Sequence, residues 1–236
     1  MNPSNPSRTL RIEAITLALV AGYVDGYALR VFGIYVSFMS GNTTMAGIES
    51  GQGHFLIALI PALAIAGFVL GSFVGNWFAH SQGRHSQRLL FIASAVLIAG
   101  FVVLNRHISG NANRSLPRLS VAMGMMNPAV TRIGGEPVSL TFVTGTLNKM
   151  ANHLALGVRR ARLPNAEGKW DTHFYRAALE ASLWVGFLAG AILSGAASSH
   201  FGVRELVPAS LALIAFGLVN RGQTPTPSTE TRWPAT

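Results

Sequence analysis

The sequence predicts an all-α integral membrane protein made of two homologous repeats, each with four helical segments. Half of the residues are hydrophobic and only 11% are charged, whereas about 25% of the residues in soluble domains are charged. No charged residue occurs between positions 55 and 79, a stretch longer than the about 20 residues that a membrane-spanning helix needs. A polar motif that occurs once in each half of the chain supports the division into repeats.

The repeated motif reads G-x-x-[D/N]-x-x-x-x-R-x-x-G and occupies residues 22–33 and 124–135. Each copy is followed by an apolar stretch and a triplet of small polar residues. Duplicated membrane proteins often bind their substrate between the two halves, so the motif and triplet positions are the candidate substrate-binding residues. They are Asp25, Arg30, Ser40, Gly41 and Asn42 in the first half, and Asn127, Arg132, Thr144, Gly145 and Thr146 in the second.

Apolar stretches separated by charged, glycine or proline positions predict eight helical segments within one membrane domain, residues 11–220. Repeat one covers about 12–105 and repeat two about 116–220. Residues 1–10 and 221–236 are predicted to be disordered tails because they are polar or rich in Pro, Ser and Thr. The predicted segments are 12–31, 34–50, 54–79, 88–105, 116–132, 138–158, 174–200 and 204–220.

The second and sixth segments contain the polar triplets near their middles, where a glycine weakens a helix. These segments either cross the membrane or are broken and re-entrant. If the first two segments of each repeat make one net crossing, the protein has six crossings and inverted halves. If every segment crosses, it has eight crossings and parallel halves. The Gly-x-x-x-Gly pairs at 67–71 in the third segment and 186–190 in the seventh predict a glycine-lined packing seam.

Asp25 is the most informative single residue, because an ionised carboxylate in the middle of a membrane is costly unless it is paired or hydrated. It is the candidate for binding protons, a cation or a polar solute. The alternative is a structural hydrogen bond or an ion pair with Arg30. Asn127, at the equivalent position, forms hydrogen bonds but does not titrate. Arg132 and Arg30 either reach the lipid headgroups or bind an anion, and Lys149 is a second candidate buried charge, although its position favours the membrane interface.

Several classes of function are excluded by the composition. The chain has no cysteine, and its seven histidines form no metal-binding motif, so no metal or other cofactor is expected. The net charge is +9, and the basic residues lie mainly between apolar stretches. This placement favours a role in setting the membrane topology over nucleic-acid binding. No nucleophile and base can be named, so the protein is not expected to be an enzyme.

Two pairs of motifs resemble the YoaK-type family of bacterial membrane proteins, which are small multi-span proteins of unknown function. They are Ala21-Gly-Tyr-Val-Asp-Gly with Val36-Ser-Phe-Met-Ser-Gly-Asn-Thr, and Gly124-Met-Met-Asn with Thr141-Phe-Val-Thr-Gly-Thr-Leu. The resemblance extends over residues 12–220 and implies a bacterial cytoplasmic-membrane protein, but it implies no substrate. The chain departs from the family pattern at Ser40, where threonine is usual, and at Pro128, which is expected to bend its helix.

The preferred hypothesis is a secondary transporter or permease that moves a small solute by alternating access. Its polar site is expected to lie between segments 1, 2, 5 and 6, and its expected partners are the lipid bilayer and the solute. A homo-oligomer is compatible with the sequence. The N-terminus is expected to be cytoplasmic, because that orientation places most lysines and arginines inside. The alternative is a membrane scaffold or a factor that binds lipids or proteins without transporting anything.

Overall fold

The computed structural model describes residues 8–81, 86–107, 112–129, 132–133, 136–137, 143–164, 166, 168–197 and 202–219. Within these residues the chain forms eight α-helices, one in each predicted segment. They are α1 (Arg8–Phe32), α2 (Met39–Gly51), α3 (Phe55–Ser81), α4 (Ser86–His107), α5 (Ala112–Met126), α6 (Val143–Val158), α7 (His173–Ala197) and α8 (Val207–Val219). Short 3-10 turns at Asn127–Ala129 and Gly202–Leu206 follow α5 and precede α8, and the two-residue strands β1 (Arg132–Ile133) and β2 (Glu136–Pro137) pair antiparallel.

Helix α1 begins earlier and α2 begins later than predicted. Residues 8–10, assigned to the N-terminal tail, belong to α1, while residues 1–7 and the predicted C-terminal tail 221–236 lie outside the described residues. Helix α2 begins at Met39 instead of residue 34 because the chain reverses after α1. Gly33 adopts φ +68, the left-handed conformation in which helices commonly end. Its amide donates a hydrogen bond of 2.9 Å to the carbonyl oxygen of Leu29.

The boundaries in the second half differ in the same way. Helix α5 ends at Met126 instead of residue 132. The next residue, Asn127, precedes Pro128, and a proline disfavours the helical conformation of the residue before it. Helix α6 begins at Val143 instead of residue 138. Both polar triplets therefore lie in the first turns of α2 and α6 and not near the middle of a longer segment.

Three of the helices are long and apolar enough to cross a membrane, namely Leu10–Phe32, Phe55–Ala79 and His173–Ala197, and Arg88–Leu104 is a shorter apolar helix. The first span is 67% buried, but the second is only 28% buried. Helix α1 is therefore central, and α3 presents large apolar side chains such as Leu56 and Trp77 at the surface, 84% and 67% exposed. An apolar surface of this kind is expected where a helix contacts lipid.

Helices α1 and α7 run in the same direction and are in close backbone contact. A Cβ atom added at Gly190 would lie 1.9 Å from the Leu19 carbonyl oxygen, and one added at Gly22 would lie 2.0 Å from the Phe187 carbonyl oxygen. Only glycine permits such an approach. Further along both helices, Gly26 lies against Ser194, so residue numbers rise together in the two helices.

Helices α3 and α5 form a second parallel pair with the same kind of contact. A Cβ atom added at Gly71 would lie 2.1 Å from the Val121 carbonyl oxygen, and one added at Gly124 would lie 2.2 Å from the Phe68 carbonyl oxygen. The glycine-bearing faces of the third and seventh segments are therefore packing seams, as the sequence suggested. Each seam is made with the first helix of the other half of the chain, since α3 packs on α5 and α7 packs on α1.

Helices α4 and α8 are antiparallel, since Gly217 near the end of α8 contacts Ile92 near the start of α4. The end of α4 lies beside the end of α1, where the Phe101 and Tyr27 rings meet edge to face with centroids 6.2 Å apart. Helix α3 ends at Ser81 and α4 begins at Ser86, so the end of α3 lies near the start of α4, and the turn after α5 packs against both helices. Helices α3 and α7 therefore run in opposite directions.

Candidate functional site

The Asp25 carboxylate binds the segment in which the chain reverses after α1. Its Oδ1 atom accepts hydrogen bonds of 2.8 Å from the backbone amides of Val36 and Ser37, and its Oδ2 atom accepts one of 2.6 Å from the Ser37 hydroxyl. Asp25 is only 3% exposed. Backbone amides outside a helix need such partners at membrane depth, so the carboxylate stabilises residues 33–38 against the side of α1.

The reversing segment is held at its other end by Asn42, which is fully buried in the first turns of α2. The Asn42 side chain accepts a hydrogen bond of 3.1 Å from the Tyr35 amide and donates one of 2.7 Å to the Tyr35 carbonyl oxygen. Gly41 permits this fold, because a Cβ atom there would lie 2.7 Å from the Phe38 ring. Ser40 is exposed on the opposite side of the helix.

Arg30 lies close to a different carboxylate from the one the sequence suggested. Its guanidinium pairs with Glu205 in the turn before α8 and donates a hydrogen bond of 3.1 Å to the Ser194 hydroxyl. The Tyr23 hydroxyl donates a hydrogen bond of 2.7 Å to the Glu205 carbonyl oxygen. The suggested Asp25–Arg30 ion pair is therefore not formed, and Arg30 instead joins α1 to α7 and to the start of α8.

The second-half candidates are divided between the chain after α5 and the first turn of α6. Asn127 is the first residue of the 3-10 turn after α5, and Arg132 lies in β1, where its side chain is outside the described residues. In the first turn of α6, Thr144 is exposed while Thr146 is buried, with Gly145 between them. The two triplets have different neighbours, because α2 packs on α3 and α6 packs on α7.

A group of charged residues between α6 and α7, all buried except Lys149, was not predicted as a site. Lys149 Nζ lies 3.6 Å from an oxygen of Glu180, whose side chain is 1% exposed. Arg176 donates two hydrogen bonds, of 2.9 and 2.8 Å, to the two carboxylate oxygens of Asp171. Lys149 had been considered a charge near the membrane interface, and its side chain is 35% exposed. Intramembrane charges commonly mark functional sites.

The same interface contains two histidines in direct contact. The Nδ1 atoms of His153 and His173 are 3.0 Å apart, and both residues are 7% exposed. The sequence analysis considered the histidines only as possible metal ligands. Helical spacing provides a signal that was not used, because residues 149 and 153 share one face of α6, and residues 173, 176 and 180 share one face of α7.

Comparison with known proteins identifies relatives along most of the chain. The family model DUF1275, described as a protein of unknown function, matches residues 14–219. The UPF0700 transmembrane protein RA0705 of Rhizobium meliloti (strain 1021) is 31% identical over 227 residues, which are 90% of this chain and 92% of the relative. No solved structure matches. The resemblance to uncharacterised multi-span membrane proteins, inferred from the motifs, is confirmed.

Proposed function

We propose that this chain, which belongs to the DUF1275 family of transmembrane proteins, is a secondary transporter or permease for a small solute. The observation that carries this proposal is the reversing segment 33–38, bound by Asp25 at membrane depth. Asp25 lies seven residues before the end of α1, or about 10 Å from it at about 1.5 Å per residue. Non-helical backbone at such depth is typical of transporter binding sites.

The proposed topology has six crossings, made by all the helices except α2 and α6. Helix α2 presents Ser40, Thr43 and Thr44 at its surface, and polar side chains are costly against lipid, whereas the equally short α8 is almost entirely apolar. The opposite directions of α3 and α7 support two inverted halves, each with three crossings. In this topology α2 enters from one membrane face and α6 from the other.

Equivalent contacts in the two halves support their origin by duplication. Gly22 approaches Phe187 in the first pair of helices as Gly124 approaches Phe68 in the second. The contacts between each short helix and the start of the next helix also correspond. In the first half, Glu49 Oε2 on α2 lies 3.0 Å from His54 Nδ1 before α3. In the second half, His153 on α6 lies against His173 at the start of α7. A polar site shared by two such halves is the usual arrangement in secondary transporters.

The exposed faces of the two short helices supply hydroxyl and amide groups at membrane depth. On α6, Thr144, Asn148 and Asn152 are exposed and lie at intervals of four residues. On α2, Ser40 and Thr44 occupy a similar exposed face. Polar side chains are costly against lipid, and we assign these faces to the lining of the solute path. Asp25 and Asn42 then position the short helix and its polar face, because their own polar atoms are engaged within the chain.

The basic residues support a cytoplasmic N-terminus in a bacterial cytoplasmic membrane. The starts of α1 and α7 lie at the same end of the molecule, so the connection before α7 faces the same side as the N-terminus. This connection carries the exposed residues Arg159, Arg160, Arg162 and Lys169. Short loops rich in lysine and arginine remain in the cytoplasm.

The proposal is tested by uptake and efflux of an untargeted mixture of metabolites in proteoliposomes, with and without a pH gradient. Asn148→Leu removes an amide from the exposed polar face of α6 and is expected to reduce uptake by about tenfold, if one hydrogen bond of about 1.4 kcal/mol to the transition state is lost. Leu154→Ala, at an exposed apolar position of the same helix, is the matched control and is expected to retain uptake. If wild-type vesicles move no solute, transport is refuted.

The scaffold alternative is favoured by one observation, which is that Asp25 and Asn42 use their polar atoms inside the chain. It differs from transport in its prediction for Asn148. A scaffold leaves the exposed face of α6 in contact with lipid or another protein. A cysteine at Asn148 would then react with a water-soluble thiol reagent no faster than one at Leu154, whereas the transport proposal expects faster reaction at Asn148.

A further inference from the structure

The contact between His153 and His173 requires that the two rings carry different hydrogens. With their Nδ1 atoms 3.0 Å apart, one Nδ1 carries a hydrogen and donates it, while the other accepts it with its lone pair. When His173 is the donor, its Nε2 atom keeps a lone pair. His173 Nε2 is buried and has no hydrogen-bond partner among the described residues. The pair therefore offers a buried nitrogen to an incoming proton.

The charges near the histidines are balanced by ion pairs of their own. Arg176 is bound by both oxygens of Asp171, and Lys149 lies beside Glu180. Each of these two pairs is neutral, and each proton that binds a histidine adds one positive charge beside them. The titratable and charged groups on the elements packed around the histidines are Lys149 on α6, Asp171 before α7, Tyr175, Arg176 and Glu180 on α7, and Arg11 and Glu13 on α1.

The equivalent connection in the first half differs in one partner. There, His54 faces the carboxylate of Glu49 at 3.0 Å, so protonation of His54 strengthens the contact. In the second half a histidine replaces the carboxylate, and two protonated rings repel each other. We call the connection after α2 and the connection after α6 the two corners. Acidification is therefore expected to have opposite effects at the two corners. It strengthens the attachment of α2 to α3 and weakens the attachment of α6 to α7.

We propose that His153 and His173 form a proton-binding site that couples protons to movement of α6, a role that rests on the proposed transport function. With His173 as the donor, a first proton from water binds the lone pair of its Nε2 atom, and the hydrogen bond between the rings persists. A second proton binds the Nδ1 lone pair of the acceptor ring. Both Nδ1 atoms then carry hydrogens, the hydrogen bond breaks, and the two cationic rings separate. Deprotonation to water restores the contact.

The site is tested by cysteine labelling, for which the cysteine-free chain needs no background substitutions. Thr146→Cys reports on the buried face of α6, and Thr144→Cys, exposed on the same helix, corrects for the effect of pH on thiol reactivity. Between about pH 7.5 and about pH 5, where histidine changes charge, the ratio of the two labelling rates is expected to rise about tenfold, equivalent to about 1.4 kcal/mol.

The matched variants are the double substitution His153→Gln with His173→Gln, and His54→Gln at the equivalent corner. Glutamine both donates and accepts hydrogen bonds but does not titrate, so the double variant is expected to keep a constant labelling ratio. His54→Gln is expected to respond as wild type does. The gel-filtration profile of the double variant, compared with those of wild type and of each single glutamine variant, shows whether the double variant has folded. A constant ratio in wild type, or an equal rise in the folded double variant, overturns the proposal.

Uptake measurements separate the proton site from the transport function. With a solute found in the vesicle screen, a pH gradient is expected to change uptake about tenfold in wild type and in His54→Gln, and to have no effect in the double variant. A labelling response without uptake of any solute refutes transport and supports the proton site. Uptake that a pH gradient leaves unchanged in wild type refutes coupling.

Discussion

Replacing Asp25 distinguishes a carboxylate needed for its charge from one needed for its hydrogen bonds. Asp25→Ala leaves the amides of Val36 and Ser37 and the Ser37 hydroxyl without their partner. At about 1.5 kcal/mol each, the loss is about 4–5 kcal/mol. Asp25→Asn keeps an oxygen that accepts from both amides, and its NH2 group donates to the Ser37 hydroxyl oxygen. We expect this variant to lose only about 1–2 kcal/mol.

The assay is unfolding in mixed detergent micelles, followed by tryptophan fluorescence, with wild type and both variants compared at neutral pH. Uptake by the Asp25→Asn vesicles is measured in parallel, and we expect it to be retained because the reversing segment stays in place. If Asp25→Asn is as unstable as Asp25→Ala, the charge itself is required and the hydrogen-bond account is refuted. If the asparagine variant folds normally but loses uptake, Asp25 acts on the solute or a coupling ion directly.

Two further substitutions test the packing of the helices. Gly190→Ala is expected to destabilise the protein by about 3 kcal/mol or more, because the added methyl group overlaps the Leu19 carbonyl oxygen. The control Gly100→Ala, in α4, places a methyl group where no described atom outside its own helical turns lies within 4 Å, and it is expected to be neutral in the same unfolding assay. Arg30→Met is expected to lower the free energy of unfolding by about 3–5 kcal/mol, because it leaves the buried Glu205 carboxylate unpaired. Adding Glu205→Gln is expected to recover most of this loss. A double variant no more stable than Arg30→Met would contradict the pairing.

The positions of the eight helices were predictable because long apolar stretches are separated by charged or glycine-bearing connections. The starts of α2 and α6 were not, because their preceding residues are as apolar as helical ones. In the first half, Gly33 and the hydrogen bonds of Asp25 and Asn42 end one helix and delay the next. These contacts join residues on opposite sides of a turn, and residue order alone does not show which carboxylate binds which amide.

The candidate site was predictable only in part. Asp25 and Asn42 were correctly selected as unusual polar residues, and the structure places both around the same reversing segment. Glu205 was missed because its partner, Arg30, is 175 residues away. His153 and His173 were missed because each was considered within its own segment. Their importance depends on the two helices packing together, although the polar spacing on each helix was visible in the sequence.

The central claim is that the chain makes six crossings and that its two halves are inverted. Its most direct test is to determine on which side of the membrane each of the two corners after the short helices lies. Single cysteines at Gln52 and Ala161, both exposed, are labelled with a membrane-impermeant reagent in right-side-out and inside-out vesicles. With six crossings and inverted halves, we predict that the two cysteines react from opposite sides, Gln52 from the periplasm and Ala161 from the cytoplasm. Reaction of both from the same side would contradict the account, because that result requires α2 and α6 to cross the membrane.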